Sequence, residues 1–129
     1  MIITKKLLAI AGAVALFGAG LSIGAGMASK PKSVLHIITM KFKDGTTADQ
    51  KKAVTDGIEK MAADPKLGIT HVWLSTKKVQ PSEYSNVFVM EFKDAAAFTA
   101  YTNAAAHKDW EKVYLPVRGE STTSDASNE

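Results

Sequence analysis

The chain contains no cysteine and shows no spacing typical of a metal site. Without cysteine it can form no disulfide, no thiolate metal site, no cysteine nucleophile and no lipid-modified cysteine. The three histidines make no HxH or HxxxH pair, which argues against a zinc or iron site. We therefore expect no metal and no cofactor, and we expect the fold to be stabilised by its own core or by a partner chain.

Charge is absent from a long stretch near the start of the sequence. Lys5 and Lys6 precede an uncharged segment, residues 7–28, as in export signals. The segment exceeds the roughly 7–15 apolar residues of most signals and reaches the roughly 20 needed to span a bilayer. Residues 1–28 are therefore predicted to be a signal peptide, cleaved after Ala28 or Ala25, or a retained membrane anchor. Either way we expect an exported protein that is periplasmic, secreted or membrane-anchored.

The remainder of the chain is nearly neutral and has no basic stripe. Without Lys5 and Lys6, 14 basic residues face 13 acidic ones. Because no basic stripe with interleaved aromatic residues remains, we expect no nucleic-acid partner. Contact with a membrane is expected only through an uncleaved N-terminal segment. The length suits one core, so residues 29–123 are assigned to a single domain.

Hydrophobic periodicity predicts the order strand, helix, strand, strand, helix, strand. The first three strands are expected at residues 34–43, 69–79 and 84–93. A capping-box pattern, TADQ from Thr47, predicts the start of the first helix, and Asp94 caps a second helix that continues to Pro116. The order predicts an α+β, ferredoxin-like βαββαβ fold with an antiparallel or mixed four-stranded sheet.

Two nearly identical segments, MKFKD at residues 40–44 and MEFKD at residues 90–94, end the first and third strands. Either the similarity is chance, or the two strands lie side by side at the centre of the sheet. In the second case we expect them to run parallel, with the second and fourth strands at the edges. The expected neighbours are Met40 and Met90, Phe42 and Phe92, and Lys41 and Glu91.

Alternation divides the two central strands into two faces. The bulkier face should pack against the helices. The other face also carries apolar residues, too many to leave in water, so a second subunit packing sheet to sheet is expected to cover them. The sequence therefore predicts a homodimer. On the first strand the helix-facing residues are Val34, His36, Ile38, Met40 and Phe42. The apolar residues of the other face are Leu35 and Ile37 on the first strand and Val87 and Val89 on the third.

These segments resemble the stress-responsive α/β-barrel domain family, abbreviated Dabb. The resemblance is carried by VLHIITMKFKD at residues 34–44, by VMEFKD at residues 89–94, and by residues 101–110, where His107 takes the place of the family's helix histidine. It covers nearly all of residues 34–117. The resemblance implies a dimeric α+β barrel built from ferredoxin-like subunits.

Two places depart from the family pattern. Ala104 and Ala105 stand where the family often has His-Pro. The end of the chain is polar from residue 117, whereas the last strand of the family tends to be apolar or aromatic. Thr122 and Thr123 could still form a short edge strand, and residues 124–129 are assigned to a disordered tail.

Three residues are the candidate catalytic set. A polyketide-cyclase branch of the family has a first-strand histidine and a helix tyrosine followed six residues later by a histidine, and His36, Tyr101 and His107 match it. The resemblance implies that His107 abstracts a proton while Tyr101 and His36 hold a carbonyl oxygen. The alternative is that both histidines are structural or ligand-orienting and that Tyr101 packs helix against sheet. His71, beside Trp73 and without an acidic neighbour, is interpreted as structural or surface-exposed.

Two function classes fit the sequence. The first is a dimeric barrel that binds a small apolar molecule or simply assembles. The second is a cofactor-independent cyclase, lyase or monooxygenase-like enzyme that uses the three candidate residues. An exported location would separate the chain from the acyl-carrier substrates of a polyketide cyclase, which favours the first. The expected ligand-binding residues are Met40, Phe88, Met90, Phe98 and Trp110, which could equally be core residues.

Overall fold

The computed structural model describes residues 28–74 and 86–128. The chain divides into two units, Met1–Lys30 and Pro31–Glu129, and every strand and helix described belongs to the second. The signal or anchor predicted for residues 1–28 lies, apart from Ala28, outside the described residues. Within the described ranges, no helix has the length and apolar character needed to cross a membrane.

The second unit is a four-stranded sheet with helices packed on one face. The strand order is β2–β3–β1–β4, so β1 and β3 are central and the other two strands are edges, as predicted. This is the ferredoxin-like arrangement. A short 3-10 helix at Pro65–Leu67 leads into β2. The elements are β1 (Val34–Phe42), α1 (Ala48–Ala62), β2 (Ile69–Trp73), β3 (Asn86–Phe92), α2 (Ala95–Asn103), α3 (Ala105–Tyr114) and β4 (Arg118–Ala126). The predicted strand residues 75–79 and 84–85 lie outside the described ranges.

The central strands β1 and β3 run antiparallel, so the prediction of a parallel pair was wrong. Strand β3 is antiparallel to both of its neighbours, which makes β1 and β2 parallel to each other. The reason is the split topology: α1 carries the chain across from β1 to β2, and β3 then inserts between them in the opposite direction.

The expected pairing of the repeated segments was therefore also wrong. Met40 lies opposite Asn86 and Phe92 lies opposite Val34. Lys41 contacts Glu120 at 3.5 Å, on the β4 side of the sheet, instead of Glu91. Both copies place their methionine and phenylalanine on the helix-facing side, but they do so in opposite strand directions.

The predicted division of the central strands into two faces is confirmed. Met40, Met90 and Phe92 are fully buried beneath the helices. Trp110 of α3 joins this core, and its indole N–H donates to the carbonyl oxygen of Val54 at 3.0 Å, which ties α3 to α1. A side chain at position 57 of α1 would collide with the indole ring, so glycine there permits the close approach.

The capping box of α1 is present. Thr47 Oγ1 accepts from the Gln50 N–H at 3.2 Å, and Gln50 Oε1 accepts from the Thr47 N–H at 2.9 Å. Each bond supplies a side-chain acceptor for a backbone N–H group at the helix start, where N–H groups have no partner inside the helix. Asp94 caps α2 as predicted, because its carboxylate accepts from the Ala97 N–H at 2.8 Å.

The second predicted helix is broken in two at Ala104, so the prediction of one continuous helix was wrong. Ala104 has an extended backbone, with φ −68° and ψ 142°. In the turn before the break, side chains of Thr102 and Asn103 both donate to the carbonyl oxygen of Thr99. Such side-chain bonds compete with the helical backbone pattern.

Strand β4 runs to Ala126, so residues 124–126 are paired and not part of a disordered tail. Its polar side chains do not prevent pairing, because β1 presents backbone N–H and C=O groups along its whole edge. The pairing extends from Phe42 opposite Arg118 to Leu35 opposite Ala126, with an irregularity between Met40 and Phe42. Beyond the strand, the Asn128 side chain donates to the carbonyl oxygen of Pro31 at 2.8 Å.

Candidate functional site

The three predicted catalytic residues lie together on the helix-covered side of the sheet. The Tyr101 ring centroid is 4.3 Å from that of His107 and 6.1 Å from that of His36. Phe98 lies 5.2 Å from His36, and Phe92 lies 4.8 Å from Tyr101. These five rings are named the aromatic cluster.

The break at Ala104 is what brings two of these rings together. Residues six apart on one α-helix differ by about 120° around the axis and do not face each other. Tyr101 lies near the end of α2 and His107 in the first turn of α3, so the two rings meet across the break. One continuous helix would not have produced this contact.

The Tyr101 hydroxyl is a buried polar group to which no described residue hydrogen-bonds. Tyr101 is 1% exposed, and among the described residues its oxygen has no hydrogen-bond partner. A buried polar atom left in this state costs about 1–3 kcal/mol. Burial also raises the pKa of Tyr101, followed by smaller effects of Glu111 and Tyr114. The hydroxyl therefore remains a neutral donor at ordinary pH.

His36 is paired with a carboxylate of the last strand. Its Nδ1 lies 2.6 Å from Asp125 Oδ1, and the imidazole side chain is 13% exposed. Because an ionised carboxylate can only accept, Nδ1 carries the hydrogen of this bond. Sequence reasoning missed Asp125 because it fell in the predicted tail, and no feature of the polar C-terminal segment indicates the register of β4.

His107 has longer polar contacts. Its Nδ1 lies 3.4 Å from the Thr102 carbonyl oxygen, and its Nε2 lies 3.9 Å from Glu111 Oε1. The ring is stacked against Trp110, with the two centroids 6.0 Å apart. His107 therefore packs between aromatic rings while its two nitrogens make only weak polar contacts to these groups.

The five predicted ligand-binding residues occupy two environments. Phe98 belongs to the aromatic cluster and is partly exposed, and Trp110 borders it. The other three, at 0–2% exposure, lie deeper in the core: Met40, Phe88 and Met90. Across residues 28–74 and 86–128, no three histidine, aspartate or glutamate side chains are grouped closely enough to hold a metal ion.

The opposite face of the sheet carries a row of apolar side chains. Trp73, Val89 and Ile37 are neighbours across β2, β3 and β1, and Trp73 is 50% exposed. We call this side the open face, and its apolar residues are Leu35, Ile37, Trp73, Val87 and Val89.

His71 also lies on the open face, and the expectation that it lacks an acidic neighbour was wrong. Its Nδ1 is 2.7 Å from Glu91 Oε2. Hydrogen bonds from Ser33 and then from His71 lower the pKa of the Glu91 carboxyl. The His71 side chain is 67% exposed, which agrees with the predicted surface position.

Solved structures share this fold at low sequence identity. A dimeric protein of unknown function with a ferredoxin-like fold from Bacteroides fragilis aligns with a TM-score of 0.62 at 16% identity, covering 77% of this chain and 99% of that one. A hydroxynitrile lyase from Passiflora edulis aligns with a TM-score of 0.64 at 14% identity, covering 74% and 93%. SnoaB, a cofactor-independent oxygenase from Streptomyces nogalater, aligns with a TM-score of 0.60 at 13% identity, covering 76% and 94%.

At these identities the structural similarity establishes the fold alone. No curated protein sequence is significantly similar to this chain. A family model, described as Stress responsive A/B Barrel Domain (Dabb), matches residues 34–128, which includes every strand and helix described above. The chain therefore belongs to the Dabb family.

Proposed function

We propose that this Dabb protein is an exported homodimer that binds a small, largely apolar molecule at the aromatic cluster. The observation that carries the proposal is the buried Tyr101 hydroxyl, which has no hydrogen-bond partner in the described part of the chain. A ligand that accepts a hydrogen bond from this group would recover the cost of burying it. The surrounding rings supply the apolar contacts that small-molecule sites use for affinity.

Phe98 is the part of the cluster through which a ligand reaches the hydroxyl. It is partly exposed, whereas Phe92 and Tyr101 are almost completely buried. Its ring centroid lies 5.2 Å from that of His36, 5.3 Å from that of Phe92 and 6.3 Å from that of Tyr101. A rotation of this one side chain would open a path between solvent and the two polar residues beneath it.

The open face supports the homodimer. Its apolar side chains form a continuous row across three strands, and half of the Trp73 surface is exposed. Exposed tryptophan in such a row is typical of an interface centre. The Bacteroides fragilis relative of the same fold is dimeric. Sedimentation of the full chain is expected to show two copies, and a monomer at all accessible concentrations would contradict this part.

The proposal of export has its support in the sequence. Lys5 and Lys6 followed by the uncharged residues 7–28 have the order of an export signal. Fractionation of cells that produce the full chain tests it. Recovery outside the cytoplasm, or in the membrane fraction if the segment is retained, is the expected result.

A second candidate function is cofactor-independent acid–base catalysis. It is favoured by the two imidazoles near the Tyr101 ring, at centroid distances of 6.1 Å and 4.3 Å, because His36 or His107 could remove a proton while the hydroxyl stabilises the resulting oxyanion. Two structures of the same fold are a hydroxynitrile lyase and a cofactor-independent oxygenase. Product formation that is lost in His107→Ala would favour this function over simple binding.

The test is a binding screen of the full chain against small aromatic and acyl compounds. Tyr101→Phe removes the hydroxyl and keeps the ring, and Tyr114→Phe makes the same change at another buried tyrosine. We expect Tyr101→Phe to weaken binding about tenfold, equivalent to one hydrogen bond of about 1.4 kcal/mol, and Tyr114→Phe to leave it unchanged. Equal affinity in all three proteins, or no binding to the wild type, would contradict the proposal.

A further inference from the structure

We propose that Asp125 is a positioning residue of the candidate site, which holds the His36 imidazole with Nδ1–H toward β4 so that Nε2 serves as the acceptor for a ligand hydroxyl. The ligand part of this inference rests on the proposed function. The positioning part rests only on the contact between the first and last strands of the domain.

The geometry of the pair is specific. His36 and Asp125 are directly opposite in the β1–β4 register, and their side chains meet at 2.6 Å. The distance is that of a charge-assisted hydrogen bond. A carboxylate that receives Nδ1–H selects the neutral tautomer whose Nε2 is unprotonated and able to accept.

The end of β4 is fixed where Asp125 lies. The residue after it, Ala126, still pairs with Leu35, and Asn128 bonds the Pro31 carbonyl oxygen. The Asp125 backbone is thus held from both sides. The Asp125 side chain remains 47% exposed, so the carboxylate also contacts solvent.

Together with Tyr101, this arrangement defines the hydrogen-bonding character of the site. Tyr101 supplies one O–H donor that has no partner among the described residues, and His36 supplies one acceptor nitrogen. A matching ligand carries a hydroxyl and an acceptor oxygen on an apolar body, as in a phenol or a hydroxyketone. An anionic ligand would instead meet the negative charge of Asp125.

The positioning role is tested by nitrogen-15 NMR of the histidine rings in the full chain. At about pH 9, above the ordinary histidine pKa of about 6.5, neutral rings report their tautomer directly. We expect His36 to be protonated at Nδ1 in the wild type and to lose this preference in Asp125→Ala. In Asp125→Asn, the amide can either donate or accept, so a mixture is expected.

Two controls keep this measurement decisive. Ser124→Ala changes the preceding residue of the same strand, on the opposite face, and should leave His36 unchanged. His71, which bonds Glu91, serves as an internal reference in every variant. Backbone amide signals of β4 show whether the strand stays paired. A wild-type ring protonated at Nε2, or an unchanged His36 in a paired Asp125→Ala, overturns the proposal.

The ligand class is tested with phenol and its methyl ether, anisole, as probes. The two have similar shape, but only phenol can donate to His36. We expect the wild type to bind phenol about tenfold more tightly than anisole, and Asp125→Ala to lose the difference. Equal binding of both probes by the wild type overturns the inferred class. If neither probe binds, the proposed function fails in this form, and the NMR result still decides the role of Asp125.

Discussion

The two faces of the sheet are built from the same two central strands but differ in what covers them. On the helix side, Met40, Met90 and Phe92 are completely buried within one chain. On the open face, Ile37 and Val89 are only partly buried. The helix side also contains the Tyr101 hydroxyl, which no described residue bonds, whereas Lys41 and Glu91 on the open face pair with residues of the edge strands.

This difference in burial indicates that the apolar surface of one face stabilises the single chain and that of the other face serves assembly. Hydrophobic alternation in β1 and β3 gives each face enough apolar area to require a partner. The helices supply that partner on one side, so changes there should affect the stability of the single chain. We infer that a second copy supplies it on the other side, where changes should affect assembly. Three substitutions, ordered by expected effect, test this division.

Phe92→Ala should have the largest effect, because it creates a cavity beneath α2. We expect a loss of about 3–5 kcal/mol in the free energy of unfolding, measured by urea denaturation. Val89→Ala, three residues away on the open face, is the matched control and should cost about 1 kcal/mol at most. Similar losses for both variants would show that the two faces contribute equally to the fold.

Trp73→Ala should weaken assembly more than folding. We expect the dimer dissociation constant, measured by sedimentation, to rise about 30-fold, equivalent to about 2 kcal/mol for an interface hot spot. Leu115→Ala removes another exposed apolar side chain, at the end of α3, and should leave the constant unchanged. An unaltered dimer in Trp73→Ala would remove the open face from the interface.

Tyr101→Phe should have the smallest effect at neutral pH, an increase of about 1 kcal/mol in the free energy of unfolding, because it removes a buried hydroxyl that has no partner among the described residues. The pKa of Tyr101 is raised in the folded state, so the folded chain keeps a proton that the unfolded chain releases above about pH 10. Stability should therefore be complete below pH 10 and fall above it, by up to about 1.4 kcal/mol per pH unit. Urea denaturation between pH 9 and 11 should show a shallower decline in Tyr101→Phe.

Tyr114→Phe is the comparison for this pH dependence. Burial raises the pKa of Tyr114 too, but Arg118 opposes the shift. Its contribution to the alkaline decline should accordingly be smaller. A decline that is unchanged by Tyr101→Phe would mean that folding does not raise the pKa of Tyr101.

Sequence patterns predicted the helices and strands because these depend on interactions between residues that are close in sequence. The capping box at Thr47 and the alternation in β1 each depend on neighbouring residues, and both were confirmed. The prediction that β3 runs parallel to β1 was wrong because the hydrophobic pattern of an apolar strand is the same whichever way the strand runs. Direction follows from the crossover and the hairpin, which no single strand encodes.

The candidate site was predicted only in part, because some of its contacts depend on residues that are far apart in sequence. Family resemblance indicated His36, Tyr101 and His107, and the structure brings their rings together. Asp125 was missed because β4 is polar, and its pairing depends on backbone bonds to β1 rather than on its side chains. The break at Ala104 was missed because alanine favours helices, so propensity argued against it.

The pairing of β4 with β1 has a consequence for how the site comes into being. His36 is translated early in the domain and Asp125 almost at its end, and the bond from Asn128 to Pro31 joins the two ends of the described domain. A chain still emerging from the ribosome, or one cleaved by a protease before residue 125, lacks the carboxylate that bonds His36 Nδ1. The contact between His36 and Asp125 can therefore form only after both the first and the last strand of the domain have been synthesised.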